Sequence, residues 1–261
     1  MDKTIWKNYL SSFQFKPLIR PLLMDSFFVV LCYLIFSWFG NYLKSKAEQL
    51  DLSLAAQKLE ELLTSSPDQA QLLAGQLQSF VLTVLLGFGV ILLFLFLFYS
   101  YTRKVIWSKN YSITKYWKWN AANLVLLLLL VPYLAAYFVV KIILYALFKN
   151  LISGGILIFV NGVIDGIFLL FFLIFLFLLY YSFQHKYMVW NSVGQAFQHF
   201  KKLNGLSLLL ILITFIALNL LLGLFNYWLQ YQPAIAVILN VGLFLVFISW
   251  LRNYVSTKFL G

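Results

Sequence analysis

The feature that most constrains this chain is a series of six apolar runs, each long enough to cross a lipid bilayer as a helix. A hydrocarbon core of about 30 Å requires about 20 predominantly apolar residues in a helical conformation. The runs cover approximately residues 22–39, 79–101, 121–147, 156–181, 205–229 and 234–251. Residues 124–130 and 167–179 are apolar at every position, whereas a transmembrane barrel strand alternates polar and apolar residues. The sequence therefore predicts an all-α polytopic helix bundle, with residues 1–261 forming a single transmembrane domain.

The composition excludes a soluble globular domain. Hydrophobic residues make up 63% of the chain and charged residues only 10%. Soluble domains contain about 45 to 50% apolar residues, even when glycine is counted. Because a soluble fold could not bury the additional apolar surface, we interpret the runs as six transmembrane helices arranged in three hairpins.

The distribution of Lys and Arg predicts the orientation of these hairpins. Cytoplasmic connections accumulate basic residues close to the ends of the spans. Fourteen of the nineteen basic residues lie in the terminal segments and in the connections after spans two and four. These residues are Lys3, Lys7, Lys16, Arg20, Arg103, Lys104, Lys109, Lys115, Lys118, Lys186, Lys201, Lys202, Arg252 and Lys258. We therefore expect both termini in the cytoplasm and a multi-pass location in the cell membrane.

The formal net charge of +11 arises largely from these basic residues in the predicted cytoplasmic segments. Basic residues dispersed along a membrane face attract anionic lipid headgroups by about 1 kcal/mol each. We therefore expect membrane lipids as partners at the cytoplasmic face, and no nucleic acid. A protein partner or a homo-oligomer is a further hypothesis.

The eight tryptophans lie near the ends of the predicted spans. Amphipathic aromatic rings are enriched at the headgroup level of membranes. Six are predicted at cytoplasmic ends and two at external ends: Trp6, Trp107, Trp117, Trp119, Trp190 and Trp250, then Trp38 and Trp228. The expectation is that these rings anchor the spans at both interfaces.

An aromatic and polar segment precedes each hairpin on its cytoplasmic side, at residues 12–16, 116–119 and 196–201. The last segment belongs to a predicted amphipathic helix over residues 186–202, whose apolar face consists of Trp190, Val193, Phe197 and Phe200. Such a helix is expected to lie in the membrane interface. The alternative is a soluble helix that packs under the bundle.

This repeated unit of an interfacial segment and a membrane hairpin resembles a broad group of uncharacterised six-helix membrane families. The group includes the membrane domain attached to some glycerophosphodiester phosphodiesterases. The resemblance covers the whole chain in architecture and implies a compact bundle. The phosphodiesterase barrel and its metal-binding acidic and histidine residues are absent from the sequence, so the resemblance does not imply that activity.

The connection over residues 40–78 is predicted to be a helical external loop. Apolar residues recur at helical spacing between residues 52 and 63, and Pro67 suits the first position of a second helix that continues directly into span two. The loop is too short for an independent domain, so its apolar face is expected to pack over the bundle or on the lipid surface. A partner-binding role is the alternative.

A small group of polar residues in spans three and four provides the leading candidate site. Asn161 and Asp165 share a helix face on span four, and Lys141 lies near the external end of span three. Because an intramembrane charge is costly, Asp165 is expected either to pair with a structural partner or to carry a proton, an ion or a substrate. Gly162 and Gly166 form the small-xxx-small spacing that permits close packing of two helices.

Further polar residues lie on spans five and six. Asn219 and Asn226 share one face with Gly223, and Asn240 lies in span six; interhelical hydrogen bonds or a polar conduit would explain them. In span three, Pro132 is expected to bend the helix, as a static kink or as a hinge. Asp25 is expected to cap the start of span one, where the helix dipole favours an anion.

No catalytic, nucleotide-binding, metal-binding or cofactor-binding motif is recognisable. Cys32 is the only cysteine, and His185 and His199 have no acidic residue or cysteine nearby in the sequence. We therefore expect no cofactor and no enzymatic activity. The main hypothesis is a structural or accessory membrane protein that assembles with partners or lipid. The alternative is a small transporter or channel that uses Asp165 and the nearby polar groups.

Overall fold

The fold is entirely helical in the part of the chain that the structure, a computed structural model, describes: residues 3–52, 54–107, 115–149 and 154–260. These residues form nine α-helices and no strand, so the predicted all-α architecture is confirmed. The helices are α1 (Lys3–Ser11), α2 (Phe15–Gln49), α3 (Ala55–Ser65), α4 (Pro67–Trp107), α5 (Tyr116–Phe148), α6 (Gly154–Lys186), α7 (Val189–Lys201), α8 (Gly205–Trp228) and α9 (Pro233–Leu260).

Six of these helices, α2, α4, α5, α6, α8 and α9, are long and apolar enough to cross a membrane. Each coincides, to within one residue at its ends, with or contains one of the six predicted spans, and the chain is a polytopic membrane protein. The orientation of the helices stays a prediction.

Helix α4 is much longer than a single membrane crossing. Its 41 residues correspond to about 60 Å at 1.5 Å per residue. It begins at Pro67 and continues without interruption to Trp107, as the sequence predicts. A proline is favoured at this first position because its missing N–H would have had no partner within the helix. One continuous helix therefore joins the second half of the predicted external loop to span two.

The larger of two compact units consists of Met1–Ser26 and Ser100–Gly261. Its apolar core is formed by the C-terminal halves of α6 and α9 and the N-terminal parts of α5 and α8. Trp119, Tyr180 and Tyr254 are among the largest fully buried side chains. All four of these helix segments are predicted to lie toward the cytoplasm, so the core occupies the predicted cytoplasmic half of this unit.

Three of the eight tryptophans face the protein core, while the predicted depth of all eight at the span ends stays a prediction. Trp107, Trp119 and Trp250 are buried in the apolar core, and Trp119 is 0% exposed. Trp117 and Trp190 are exposed, as are the external pair Trp38 and Trp228. Sequence position fixes the depth of a ring but not the side of the helix on which it lies, and these three rings face neighbouring helices.

Helix α7 packs closely against α6 and also contacts α5. Its buried residues are Ser192 and Ala196, whereas Trp190 and Phe197 of the predicted apolar face are exposed. Exposure of Trp190 and Phe197 is compatible with the predicted position in the membrane interface, which stays a prediction. Small side chains at Ser192 and Ala196 allow the close approach to α6 that larger aromatic residues would prevent.

The two other aromatic segments differ from each other. Residues 116–119 are the first turn of α5, so no separate interfacial helix forms in the described residues there. Upstream of residues 12–16, α1 packs against α8 and α9. The ring of Tyr9 lies 5.9 Å from those of Trp250 and Tyr254, and its hydroxyl is 2.9 Å from Thr214 Oγ1. This aromatic cluster joins the N-terminal helix to the core.

The smaller unit, Phe27–Tyr99, contains the C-terminal part of α2, the N-terminal part of α4, and α3. Rings from the two long helices stack, and the centroids of Phe28 and Phe98 are 6.2 Å apart. A Cβ at Gly87 would lie 2.7 Å from the ring of Phe39, so glycine permits a close approach here. An exposed ion pair joins Lys58 to Asp51 at 2.5 Å.

Candidate functional site

The structure brings Asp165 and Lys141 together near the predicted external ends of α5 and α6. Lys141 Nζ lies 2.7 Å from Asp165 Oδ1 and 3.0 Å from Oδ2. Tyr137 donates its hydroxyl hydrogen bond to Asp165 Oδ1 at 2.7 Å and accepts one from Lys141 Nζ at 2.8 Å. Sequence reasoning missed Tyr137, although it lies four residues before Lys141 and therefore on the same helix face. The carboxylate is thus neutralised by a cation and a hydroxyl.

The other members of this predicted site are less involved. Asn161 lies one helical turn before Asp165, but it is not among the hydrogen-bond partners of Asp165 in the described part of the chain. A Cβ at Gly166 would lie 2.8 Å from Phe215 Cε1 of α8, whereas a Cβ at Gly162 would meet nothing within 4 Å. Among the described residues, the close approach to another helix is therefore at Gly166, and packing at Gly162 stays a prediction.

The asparagines of α8 do not form one polar stripe. Asn226 Oδ1 accepts a hydrogen bond of 2.7 Å from Asn240 Nδ2, which links α8 to α9. Asn219 Nδ2 instead donates to Phe215 O of its own helix at 2.8 Å. Asn226 therefore forms a hydrogen bond between two helices, whereas Asn219 forms its hydrogen bond within its own helix.

Pro132 lies inside α5, which continues as one helix on both sides of it. Its ring lines a cavity of about 520 Å³ between α5, α6 and α7. The lining is almost entirely apolar and consists of Leu129, Pro132, Tyr133, Ile167, Phe168, Phe171, Phe172, Phe175, Phe197 and Phe200. The hydroxyl of Tyr133 donates to the carbonyl of Phe168, so the one polar side chain of the lining already has an acceptor. A hinge at Pro132 stays a prediction.

A second charged site is buried in the larger unit, and sequence reasoning did not identify it. Asp25 accepts a hydrogen bond from Arg103 Nη2, and both side chains are less than a tenth exposed. The expectation that Asp25 caps a helix is therefore wrong, because Asp25 lies inside α2 and pairs with a residue of α4. Arg20, five residues before Asp25, donates to the backbone carbonyl of Val105.

Arg252 of α9 belongs to the same site. Its guanidinium carbon lies 6.0 Å from the ring centroid of Trp107, and the charges of Arg103 and Arg20 both act on it. We call Arg20, Arg103 and Arg252 the basic cluster. The orientation argument counted these residues as charges of the cytoplasmic surface, but Arg103 and Arg252 are buried, as is Lys104. A sequence signal was present, because Asp25 lies at the same predicted depth as Arg103.

A neutral hydrogen-bonded network lies next to the basic cluster. Asn123 Nδ2 donates to Ser100 Oγ at 2.8 Å, and Tyr180 donates to Asn123 Oδ1 at 2.5 Å. Tyr180 also contacts the ring of Trp107 at 5.9 Å. All four side chains are buried, so the network holds α4, α5 and α6 in one arrangement around the cluster.

Among the described residues, no group of three or more His, Cys, Asp or Glu side chains is placed to hold a metal ion. No protein-family model, curated protein or solved structure matches this chain. The resemblance to six-helix membrane families therefore stays a prediction. Two charged sites and an apolar cavity are the features of this chain that bear on function.

Proposed function

We propose that this protein is an accessory membrane protein that holds a lipid acyl chain in the cavity between α5, α6 and α7. The observation that carries the proposal is the apolar lining of that cavity. Its volume of about 520 Å³ falls within the range of small-molecule sites. Because the only polar side chain of the lining is already hydrogen-bonded, a polar substrate would lose its hydration without gaining partners there.

Acyl chains are the apolar molecules most available to this cavity. Helices α5 and α6 are both candidate membrane spans, so the groove between them opens onto a surface where lipid tails are the solvent. Phenylalanine rings from α6 and α7 supply much of the wall. A flexible chain can adapt its shape to such a wall and gains dispersion contacts with it.

The polar network around Asp165 supports an accessory role more than transport. Its carboxylate already interacts with one ammonium group and one hydroxyl. A transported cation or proton would have to displace Lys141 from Asp165 in each cycle. Each displacement would break both the ion pair with Asp165 and the hydrogen bond from Lys141 to Tyr137.

The proposal is tested by filling the cavity. Leu129→Trp adds volume to the lining, whereas Leu128→Trp makes the same change at a neighbouring position that is 60% exposed and outside the cavity. The full chain, purified in neutral detergent with a trace of lipid carrying a photoreactive acyl chain, should retain label on α5, α6 and α7. Labelling should fall strongly in L129W and persist in L128W. Equal labelling of both variants, or label spread without enrichment over all spans, would contradict the proposal.

A further inference from the structure

Arg252 is 6% exposed, and none of the ion pairs in the described part of the chain includes it. A charge buried without an opposite charge is strongly unfavourable, and buried cations in membrane proteins are normally paired. The neighbours that act on Arg252 electrostatically are instead two further arginines, Arg103 and Arg20. Among the described residues, the cluster therefore combines three guanidinium groups with the carboxylate of Asp25, which pairs with Arg103.

The amino-acid sequence restricts how this excess charge can be neutralised within the unit. Of the eight acidic residues, only Asp2, Asp25 and Asp165 belong to the larger unit. Asp25 pairs with Arg103, and Asp165 pairs with Lys141. Asp2 lies outside the described residues, so its contribution has to be tested directly.

Two hydrogen-bond donors at this place have no acceptor among the described residues. Arg252 Nη1 and Trp107 Nε1 are both buried without a partner, and the guanidinium carbon lies 6.0 Å from the Trp107 ring centroid. Both side chains are more than nine-tenths buried. An unmet buried donor is costly, and two adjacent ones beside a positive charge favour an acceptor that is itself an anion.

We propose that the basic cluster binds a phosphate oxyanion, with Arg252 as its main ligand and Trp107 as a second donor. The planar guanidinium fork matches the oxygen geometry of phosphate and supplies charge at the same time. The cluster lies at the predicted cytoplasmic ends of α2, α4 and α9, the depth at which anionic lipid phosphates are found. The group can be the headgroup phosphate of an anionic lipid or free inorganic phosphate, and the site does not depend on the acyl-chain cavity.

The test measures thermal unfolding of the full chain in neutral detergent. Inorganic phosphate and short-chain phosphatidic acid are titrated separately, with sodium chloride at matched ionic strength and short-chain phosphatidylcholine as controls. We expect the melting temperature to rise with a phosphate ligand, since a ligand that binds only the folded state stabilises it. A rise with both ligands identifies a general phosphate site, and a rise with phosphatidic acid alone identifies a lipid headgroup site. An equal rise with sodium chloride would overturn the proposal.

Three variants locate the effect. Arg252→Gln should weaken phosphate binding by about tenfold or more, because it removes a charged hydrogen-bond donor. Without ligand it should melt at the same temperature as the wild type or higher, because an uncompensated buried charge has been removed. Trp107→Phe keeps an aromatic ring, although a smaller one, but loses the N–H, and should weaken binding less. Lys118→Gln removes one exposed positive charge at the same predicted end and should leave binding unchanged.

Two results would show that Arg252 is neutralised within the chain instead. In the first, R252Q melts well below the wild type without ligand, and the wild type does not respond to either phosphate ligand. In the second, Asp2→Asn lowers the melting temperature in the wild type but not in R252Q. If R252Q does not fold, native mass spectrometry of the wild type still decides, because the absence of a phosphate-containing adduct after titration excludes the site.

Discussion

Replacing Asp25 with asparagine removes the carboxylate that pairs with Arg103 in the basic cluster. The side chains of Arg103 and Asp25 are only 6% and 7% exposed, so water cannot replace the lost charge. The amide keeps the shape of the carboxylate, which separates the loss of charge from a loss of packing. Removing one partner of a buried ion pair costs about 3 to 5 kcal/mol. Repulsion from Arg252 places the expected loss toward the upper end of that range.

The smaller unit supplies a matched control. Asp51 forms an ion pair of 2.5 Å with Lys58, but these side chains are 42% and 48% exposed. Exposed pairs contribute about 0.2 to 1 kcal/mol, since both charges remain hydrated when the pair breaks. Asp51→Asn is the same chemical change in the same chain, so burial is the variable that differs between the two substitutions.

Thermal unfolding in neutral detergent measures both effects. At about 2 to 4 °C per kcal/mol for a chain of comparable size, Asp25→Asn should lower the melting temperature by roughly 6 to 20 °C. Asp51→Asn should change it by less than about 4 °C. Replacing both buried partners with apolar residues, Asp25→Leu together with Arg103→Met, should recover much of the loss. Equal losses in the two asparagine variants, or no recovery in the double variant, would refute the reasoning.

Three further predictions follow from the helix contacts and the charge distribution. Gly166→Leu should destabilise the protein by about 1 to 3 kcal/mol, because its side chain would collide with Phe215, whereas Gly162→Leu should have little effect on the melting temperature. Asp165→Asn should cost less than about 1 kcal/mol and leave reconstituted vesicles without altered ion flux; a lost pH-dependent flux in a normally folded variant would support the transporter alternative. Reporters at both termini should read cytoplasmic and a tag at Ser65 external, and an external C-terminal reporter would show that one span is misassigned.

Hydropathy was sufficient to predict the six spans, because an apolar helix of membrane-crossing length is recognised from one continuous stretch of the sequence. The start of α4 at Pro67 was predictable for the same reason, since the preference of proline for a first helical turn is local. The sequence allowed two interpretations of Asp165, as a partner in a structural pair or as a carrier of a proton, an ion or a substrate, and its pairing with Lys141 corresponds to the first. Both residues lie in consecutive spans at similar depth, which limits the number of partners.

The buried site was not predicted, because the similar depth of Asp25 and Arg103 does not show how each helix is rotated about its axis. Asp25 and Arg103 are separated by 78 residues, and no local pattern shows that they face each other. The same limit explains why the sequence did not show that Trp119 faces the core. It also explains why the close approach at Gly166 was not singled out, since spacing shows that two glycines share a face but not which helix meets that face.

The contact between α1 and α9 has a consequence for biosynthesis. Asn253 Nδ2 donates to Ser12 O at 2.8 Å across a sequence separation of 241 residues. A ribosome therefore completes α1 long before it makes the helix against which α1 packs. Until α9 is inserted, the ring of Tyr9 has neither Trp250 nor Tyr254 as a neighbour. The packing of the N-terminal segment is thus completed only after the last span is inserted. A chain that stops before Pro233 would keep its earlier spans in the membrane but would lack the part of the apolar core that α9 contributes.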